Sequence, residues 1–509
     1  MKNFLKKSWP FITLAVLAFT VHFAFLSYPA QVVFDEVHFG KFVGAYFTGQ
    51  YYFDIHPPLG KLMIAGWAKL NNVDPNFDFD HIGEAAAPQM LFTLRFLPAF
   101  FGGLFVLAFS WLAWLASHSK KTALIAGVLI LLDNAFLVQS HFILVDIFML
   151  TFEVLALSFF FLQQRQKSFS AKWFGYLILM SLFFGLTISI KWTGLATIGI
   201  IGVILVAKVF NRKLALYLST PAGHSDPPVG GEESHRISQR AETRATKLLD
   251  SSACGLKMTK IALLKETAIS IIFLLSIGFV IYLVPFVIHF NLLPNSGPGD
   301  AFMSSVFQQE LKYGRANVSV PLSFWKKFIE LNKTMYTSSS NITAYHPYAS
   351  RWYTWPLAYK FVYYWNQDIT ENQKTVSSGK IFLAGNPFLW WLAGGFLIFV
   401  LAQQISKKGR RKTPPIYYIL AMAYLANLLP FLGIKRVSFL YHYLPAALYA
   451  ILLLSFWLTR QWSKNEKIFW AAMFLILAGF IFMAPLSYGW QVPAWASRAE
   501  IQLLGPLYH

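Results

Sequence analysis

Cysteine occurs once in 509 residues, at Cys254, which excludes an intrachain disulfide and any metal cage built from thiolates. Charge is scarce too. Only 13% of residues are Asp, Glu, Lys or Arg, about half the roughly 25% of a soluble domain, which excludes a disordered chain and an ordinary soluble enzyme. The deficit falls on the acids, 23 Asp and Glu against 43 Lys and Arg, a net +20. In so apolar a chain that excess reflects Lys and Arg kept in cytoplasmic loops, and no nucleic-acid partner is expected. Duplicated halves of the kind that build many transporters are missing as well. What is present is 56% hydrophobic and 18% aromatic residues, gathered in long runs. The fold class this implies is an all-α polytopic membrane protein.

A spanning helix needs about 20 mostly apolar residues. Eleven stretches qualify: Trp9–Ser27, Leu91–Ala116, Thr122–Gln139, His141–Leu162, Trp173–Ile190, Thr193–Phe210, Glu266–Phe290, Ile381–Gln403, Ile416–Leu432, Val437–Leu458 and Ile468–Leu486. With the amino end inside, Lys120/Lys121, Arg165/Lys167, Arg212/Lys213, the Lys407–Lys412 cluster and Arg460/Lys464/Lys467 all fall on the cytoplasmic side, as the positive-inside rule requires. The first run is too long for a cleaved signal peptide and lacks an A-x-A site. The organisation expected is a membrane region 1–290, with an outer loop at 28–90 and a cytoplasmic insertion at 211–265, then a second outer loop 291–380 and a membrane region 381–509. The middle of the insertion, Pro221–Asp250, is polar and reads as flexible; Cys254 follows it.

Ionisable residues at membrane depth need a reason. In this topology the unexpected ones share the outer side: Arg95, Asp133, Asp146, Lys191, Lys435, Arg436, His289 and His442. With Asp35, Glu36, Asp54, His56 and Lys61 of the first outer loop they are expected to converge on one outward cavity. Carboxylates and cations together suit a lipid-borne anionic donor and an exported acceptor.

The first outer loop reads Asp35-Glu36-Val37-His38-Phe39-Gly40-Lys41, then Phe53-Asp54-Ile55-His56-Pro57-Pro58-Leu59-Gly60-Lys61. Adjacent Asp35 and Glu36 point in different directions on any regular backbone, so one can face the cavity while the other is held from behind. A single carboxylate suffices as base for an alcohol nucleophile. Glycoside hydrolysis needs a second carboxyl group for its alcohol leaving group, whereas a phosphate leaving group is served by Arg or Lys. One carboxylate base with several cations points to displacement from a sugar phosphate. The stretch from Leu59 to about Leu70 reads as an amphipathic helix along the membrane surface.

The run DEVHFGKF followed by FDIHPPLGK, Asp35 through Lys61, resembles the protein O-mannosyltransferase family, membrane enzymes of the GT-C fold that use polyprenyl-phosphate-mannose. Arg95-Phe96-Leu97-Pro98, Leu132-Asp133-Asn134-Ala135 through Asp146, and Ile190-Lys191-Trp192-Thr193-Gly194-Leu195 resemble family motifs in chain order. So do the stretch from Ser340 to Leu357, containing His346-Pro347-Tyr348, and Lys435-Arg436-Val437 through His442 to Pro445. His141 stands where the family commonly has Arg. Residues 291–380 are too few for the β-trefoil (MIR) insertion of eukaryotic members, so the chain resembles a prokaryotic-type member.

The resemblance implies transfer of mannose from a polyprenyl phosphate to Ser or Thr hydroxyls of exported proteins, with inversion. The alternative is another GT-C transferase serving a lipid or glycan acceptor. Asp35 and Glu36 are the catalytic candidates, Asp35 as base and Glu36 as orienting group, with the two roles interchangeable at this level. Arg95, Lys191, Arg436 and His442 are assigned to the donor phosphate, Arg95 also as a tie on Asp35 or Glu36. Asp54, His56, His346 and Trp355 are assigned to substrate. Asp35, Glu36, Asp54 and His56 are also the residues that would hold a divalent cation; the expectation is no metal and no cofactor. Expected partners are the lipid-linked sugar, acceptor proteins, membrane lipid and an export machinery, at a plasma membrane with the site outside.

Overall fold

The computed structural model describes residues 2–220, 260–405 and 414–508. Cys254, the polar stretch Pro221–Asp250 and the Lys407–Lys412 cluster lie outside the described residues. Among those described, nine helices are long and apolar enough to span a membrane, and a bent pair makes ten. The nine include α4 (Pro88–Ser117), α7 (Asp146–Gln164), α8 (Ala171–Ile188), α9 (Leu195–Phe210, entered through a 3-10 turn at Trp192–Gly194) and α11 (Lys260–Leu292). The others are α14 (Pro387–Ile405), α15 (Pro415–Leu428), α16 (Leu444–Lys464) and α17 (Glu466–Tyr488). The first helix, α1 (Lys2–Phe23), has a shorter apolar part, Ser8–Phe23. The chain is a multi-pass membrane protein.

The bent pair is where the run Thr122–Gln139 was expected as one span. It is two helices, α5 (Lys120–Leu131) and α6 (Asn134–His141), 63° apart. Asp133 makes the break stable: its carboxylate accepts from the backbone N–H of Ala135 and Phe136 at 2.9 and 3.2 Å and from the Trp390 indole at 2.5 Å. The Asn386 amide satisfies the freed Leu132 carbonyl at 2.9 Å. Broken backbone survives at membrane depth only when its polar groups are re-paired in this way. Asp133 is therefore a buried helix cap and not one of the residues around the polar cavity described below, which corrects its expected place among the converging charges.

Lipid tails are as apolar as leucine, so these helices associate by close packing and polar contacts. Gly102 and Gly103 on α4 let α1 approach: a Cβ at Gly102 would meet the His22 ring at 2.2 Å, and one at Gly103 the Phe19 ring at 2.6 Å. At one end of the bundle Lys208 pairs with Glu266 at 2.7 Å. Arg165, and Tyr217 on the short helix α10 (Arg212–Ser219), cap the last carbonyls of α4 there.

At the opposite end the first loop folds into α2 (Glu36–Thr48) and α3 (Leu59–Leu70), the second on the residues expected to be helical. Residues 291–380 form α12 (Ser305–Tyr313), α13 (Phe324–Ser340) and most of a hairpin, with no trefoil. The hairpin pairs β1 (Val362–Glu371) with β2 (Lys374–Leu383) around Asn372 and Gln373, both at positive φ; β3 (Val492–Pro493) completes an antiparallel sheet and leads into α18 (Ala494–Tyr508). The span expected from Ile381 begins instead at Pro387, because Ile381–Leu383 finish β2.

Candidate active site

Glu36 and Arg95 settle the local architecture of the first loop. Arg95 is fully buried on α4, and its Nε and Nη2 donate to the two Glu36 oxygens at 2.8 Å each. Its remaining donors go to the carbonyls of Leu26, Pro29 and Gln31 at 3.3, 3.0 and 2.8 Å. Glu36 also accepts from Val33 N–H and Ile143 N–H at 2.9 and 3.0 Å. Every donor of the guanidinium and every acceptor site of the carboxylate is thereby used. Arg95 is thus not a phosphate ligand, and Glu36 is not an available base. Both correct the assignments made from sequence; of the two adjacent acids, Glu36 is the one held from behind.

Asp35 sits half-buried at the start of α2, and its side chain caps nothing. The preceding Phe34 has φ +46°, a conformation uncommon for a residue with a side chain. It is held there by β1, through Phe34 N–H to Tyr364 O at 3.0 Å and ring stacking on Tyr364 at 4.1 Å. The Tyr364 hydroxyl is anchored in turn on Gln139 at 2.8 Å. Burial pushes the Asp35 carboxyl up to about 6; nearby His38 and Lys191 oppose that rise, and Asp146 and Asp54 add to it. A carboxyl poised near neutrality is the form suited to a general base.

Near it lies a cavity of about 780 Å³, lined by Lys191 and Asp146, whose charges act on Asp35, but not by Asp35 itself. One wall carries Asp146, the first residue of α7, and Lys191, in the turn before α9. Lys191 Nζ donates to both Asp146 oxygens at 2.8 and 2.7 Å and lies 5.5 Å from the centre of the Tyr441 ring. Lys435, Arg436 and His442 also line it. Arg436 donates to Ser339 Oγ at the end of α13 and contacts His442 Nε2 at 3.0 Å. Leu195 and Ile434 also line the cavity and are 50% and 40% exposed, so it opens to the outside of the bundle beside α9 and the end of α15.

The expected convergence therefore holds for Asp146, Lys191, Lys435, Arg436, His442 and His56, all of which line this cavity. Burial beside Lys191, Lys61 and Arg436 pushes the His56 imidazole well below its usual range, so it is neutral. Other residues assigned to substrate lie elsewhere. Asp54 is paired with the buried Lys61, whose ammonium also donates to the His56 carbonyl at 2.7 Å. Trp355 is wholly buried, donating to Ser350 at 2.9 Å and packing behind Phe431 and His442, where no sugar can stack on it. His346 packs edge-on against Phe439 at 4.9 Å, outside the cavity lining. His289 bonds Tyr46 at 2.9 Å beneath the first loop. Asp146 and Tyr441 had no role assigned; the signal was an acid at the start of one span and a lysine in the tight turn closing the next. Among the described residues no three His, Cys, Asp or Glu side chains are grouped to hold a metal ion, and the quartet considered for one has Glu36 and Asp54 already committed.

The family model described as dolichyl-phosphate-mannose-protein mannosyltransferase matches residues 12–294, more than half of the chain. The chain belongs to the protein O-mannosyltransferase family. A second model, the C-terminal four TMM region of protein-O-mannosyltransferase, matches residues 324–504. Protein O-mannosyltransferase 1 of Drosophila melanogaster is 31% identical over 313 residues, 61% of this chain and 30% of that protein. Dolichyl-phosphate-mannose–protein mannosyltransferase 4 of Saccharomyces cerevisiae is 33% identical over 306 residues, 58% of this chain and 34% of that protein. The chain spans about a third of the length of these mannosyltransferases. A structure of the S. cerevisiae Pmt1-Pmt2 complex bound to the sugar donor superposes with a TM-score of 0.76 at 19% identity, covering 95% of this chain and 90% of that one. The shared architecture is the GT-C fold.

Proposed function

We propose that this chain transfers mannose from a polyprenyl-phosphate-mannose to Ser or Thr hydroxyls of proteins. The observation that carries the reading is a cation-rich cavity that opens past the exposed Leu195 and Ile434, with a half-buried aspartate near it that makes no side-chain hydrogen bond among the described residues. The lipid tail lies between α9 and α15 against Leu195 and Ile434, and the phosphate meets Arg436 with Lys435 and His442. The acceptor oxygen attacks C1 of the sugar from the side of Asp35, which takes the hydroxyl proton, while the C1–O bond to phosphate breaks. One displacement inverts the anomeric centre. The lipid phosphate leaves as an anion that a guanidinium binds through paired hydrogen bonds, so no protonated acid is needed. The same cations supply the charge a divalent metal would otherwise supply, so transfer proceeds without one. We place the cavity on the outer face of the plasma membrane with the amino end inside, because Lys120, Arg165, Lys208 and Lys464 gather at the other end of the bundle. Exported chains, with or without their export machinery, are then the acceptors.

The test uses purified protein in lipid, labelled polyprenyl-phosphate-mannose and a Ser/Thr-rich peptide, with and without EDTA. Label is expected on the peptide in both conditions. Asp35→Asn is expected to lower the rate by about 10²–10⁴-fold, the range for loss of a positioned base. Transfer undiminished in Asp35→Asn removes Asp35 as the base, loss with EDTA overturns the metal-free mechanism, and label only on a lipid or glycan acceptor overturns the protein substrate.

A further inference from the structure

The polar lining of the cavity is divided. Around Arg436 stand Lys435, His442 and Ser339, with no acid among them. Around Lys191 stands the one carboxylate that lines the cavity among the described residues, Asp146. Lys191 is spent on that carboxylate, donating to both of its oxygens at 2.8 and 2.7 Å. Asp146 accepts no other side-chain hydrogen bond among the described residues. A carboxylate has about four acceptor sites, so about two remain. Its side chain retains 10% exposure and is part of the cavity lining. A phosphate is repelled by this carboxylate and drawn to Arg436 and Lys435, which have no acid beside them in the lining. A sugar hydroxyl is the reverse case, a neutral donor for which an ionised acceptor gives a strong hydrogen bond. Tyr441 lines the cavity under the Lys191 ammonium and stacks on His442 at 4.6 Å, joining the Lys191 group to the Arg436 group.

We propose that Asp146 is the sugar-recognising residue of the donor site, accepting from neighbouring hydroxyls of the mannose ring, with Lys191 as its positioning residue and not a ligand of the phosphate. This rests on the lipid-phosphate-sugar donor proposed above and deepens it, because it fixes which end of the cavity holds the sugar. The ammonium, bonded to both oxygens, fixes the plane of the carboxylate. Discrimination between sugars that differ at one hydroxyl then comes from whether that hydroxyl reaches a committed acceptor, which is the discrimination buried polar groups enforce most strongly.

The experiment measures binding of three probes to the whole protein in lipid: polyprenyl phosphate, polyprenyl-phosphate-mannose and polyprenyl-phosphate-glucose. Transfer from both sugar lipids to a Ser/Thr peptide is followed in parallel. Wild type is expected to bind the mannosyl lipid at least tenfold more tightly than the bare phosphate and to prefer it over the glucosyl lipid. Asp146→Asn is expected to reduce both ratios to within about threefold while leaving bare polyprenyl phosphate binding unchanged. Because removing one partner of a buried pair can unfold a protein, the neutral double variant D146N/K191M is measured beside it and is expected to show the same loss of sugar preference. Preserved mannose preference in a folded variant overturns the proposal. Equal weakening of all three probes overturns it too, since Asp146 then acts on the phosphate. If wild type binds bare phosphate but transfers neither sugar, the donor reading falls and this inference with it; transfer by wild type with unaltered selectivity in the variants sinks this inference alone.

Discussion

Asp35 and Glu36 are neighbours with opposite fates, and hydrogen bonding decides between them. Glu36 is closed on all sides, so its exchange for a neutral group leaves the Arg95 guanidinium buried without a counter-charge. Breaking such a pair costs about 3–5 kcal/mol. Arg95→Met is expected to lower the thermal midpoint of the purified protein sharply, while the molecules that remain folded bind polyprenyl phosphate as wild type does. Selective loss of phosphate binding with normal stability would return Arg95 to the donor site. For Asp35 the consequence is kinetic. Its carboxyl is raised to about 6, chiefly by burial, and only the ionised form accepts a proton. The rate is therefore expected to fall about tenfold per pH unit below pH 6 and to level off above it, as read from kcat/KM between pH 4.5 and 8. A flat profile through pH 6 rules this base out. The pair of acids is legible in the linear chain, but which of them is free is not, because Val33 N–H, Ile143 N–H and Arg95 meet only in the folded protein.

Elements of secondary structure matter here through what they press against. The helices were largely legible, because a run of apolar residues has few alternatives in lipid, and α3 falls on Leu59–Leu70 as its amphipathic pattern indicates. The hairpin was not. Its turn is Asn-Gln, without the glycine that usually marks a tight hairpin, and its second strand runs straight into apolar residues that read as the start of a span. Yet β1 carries Tyr364, stacked on Phe34 next to Asp35. Tyr364→Ala is expected to reduce kcat at least tenfold with donor binding within threefold. Tyr364→Phe, which keeps the stack and loses only the bond to Gln139, is expected to stay within a few-fold. Equal kinetics in both variants would show that the hairpin does not position the base.

At the scale of the whole molecule the testable property is sidedness. In a Cys254→Ser background, Tyr345→Cys, whose parent residue is 88% exposed in the second loop, is expected to react with a membrane-impermeant maleimide on intact cells. Lys464→Cys, exposed at the other end of the bundle, is expected to react only after permeabilisation. The reverse pattern inverts the proposed topology.

Composition, apolar run lengths and the order of charged motifs along the chain were enough to establish a helical membrane protein and to single out the acids and cations of its two large loops and short turns. Those are local properties, set by what a backbone can do in lipid and by which residues are too costly to leave there without purpose. Which charges cancel one another was decided only by tertiary structure. Arg95 closes on Glu36, Lys61 on Asp54 and Lys191 on Asp146, while Asp35 is left uncommitted near the cavity and Arg436 is left without a carboxylate partner among the described residues. Pairing depends on distances of about 3 Å between segments as far apart as residues 36 and 95 or 146 and 191, and a linear sequence does not carry those distances.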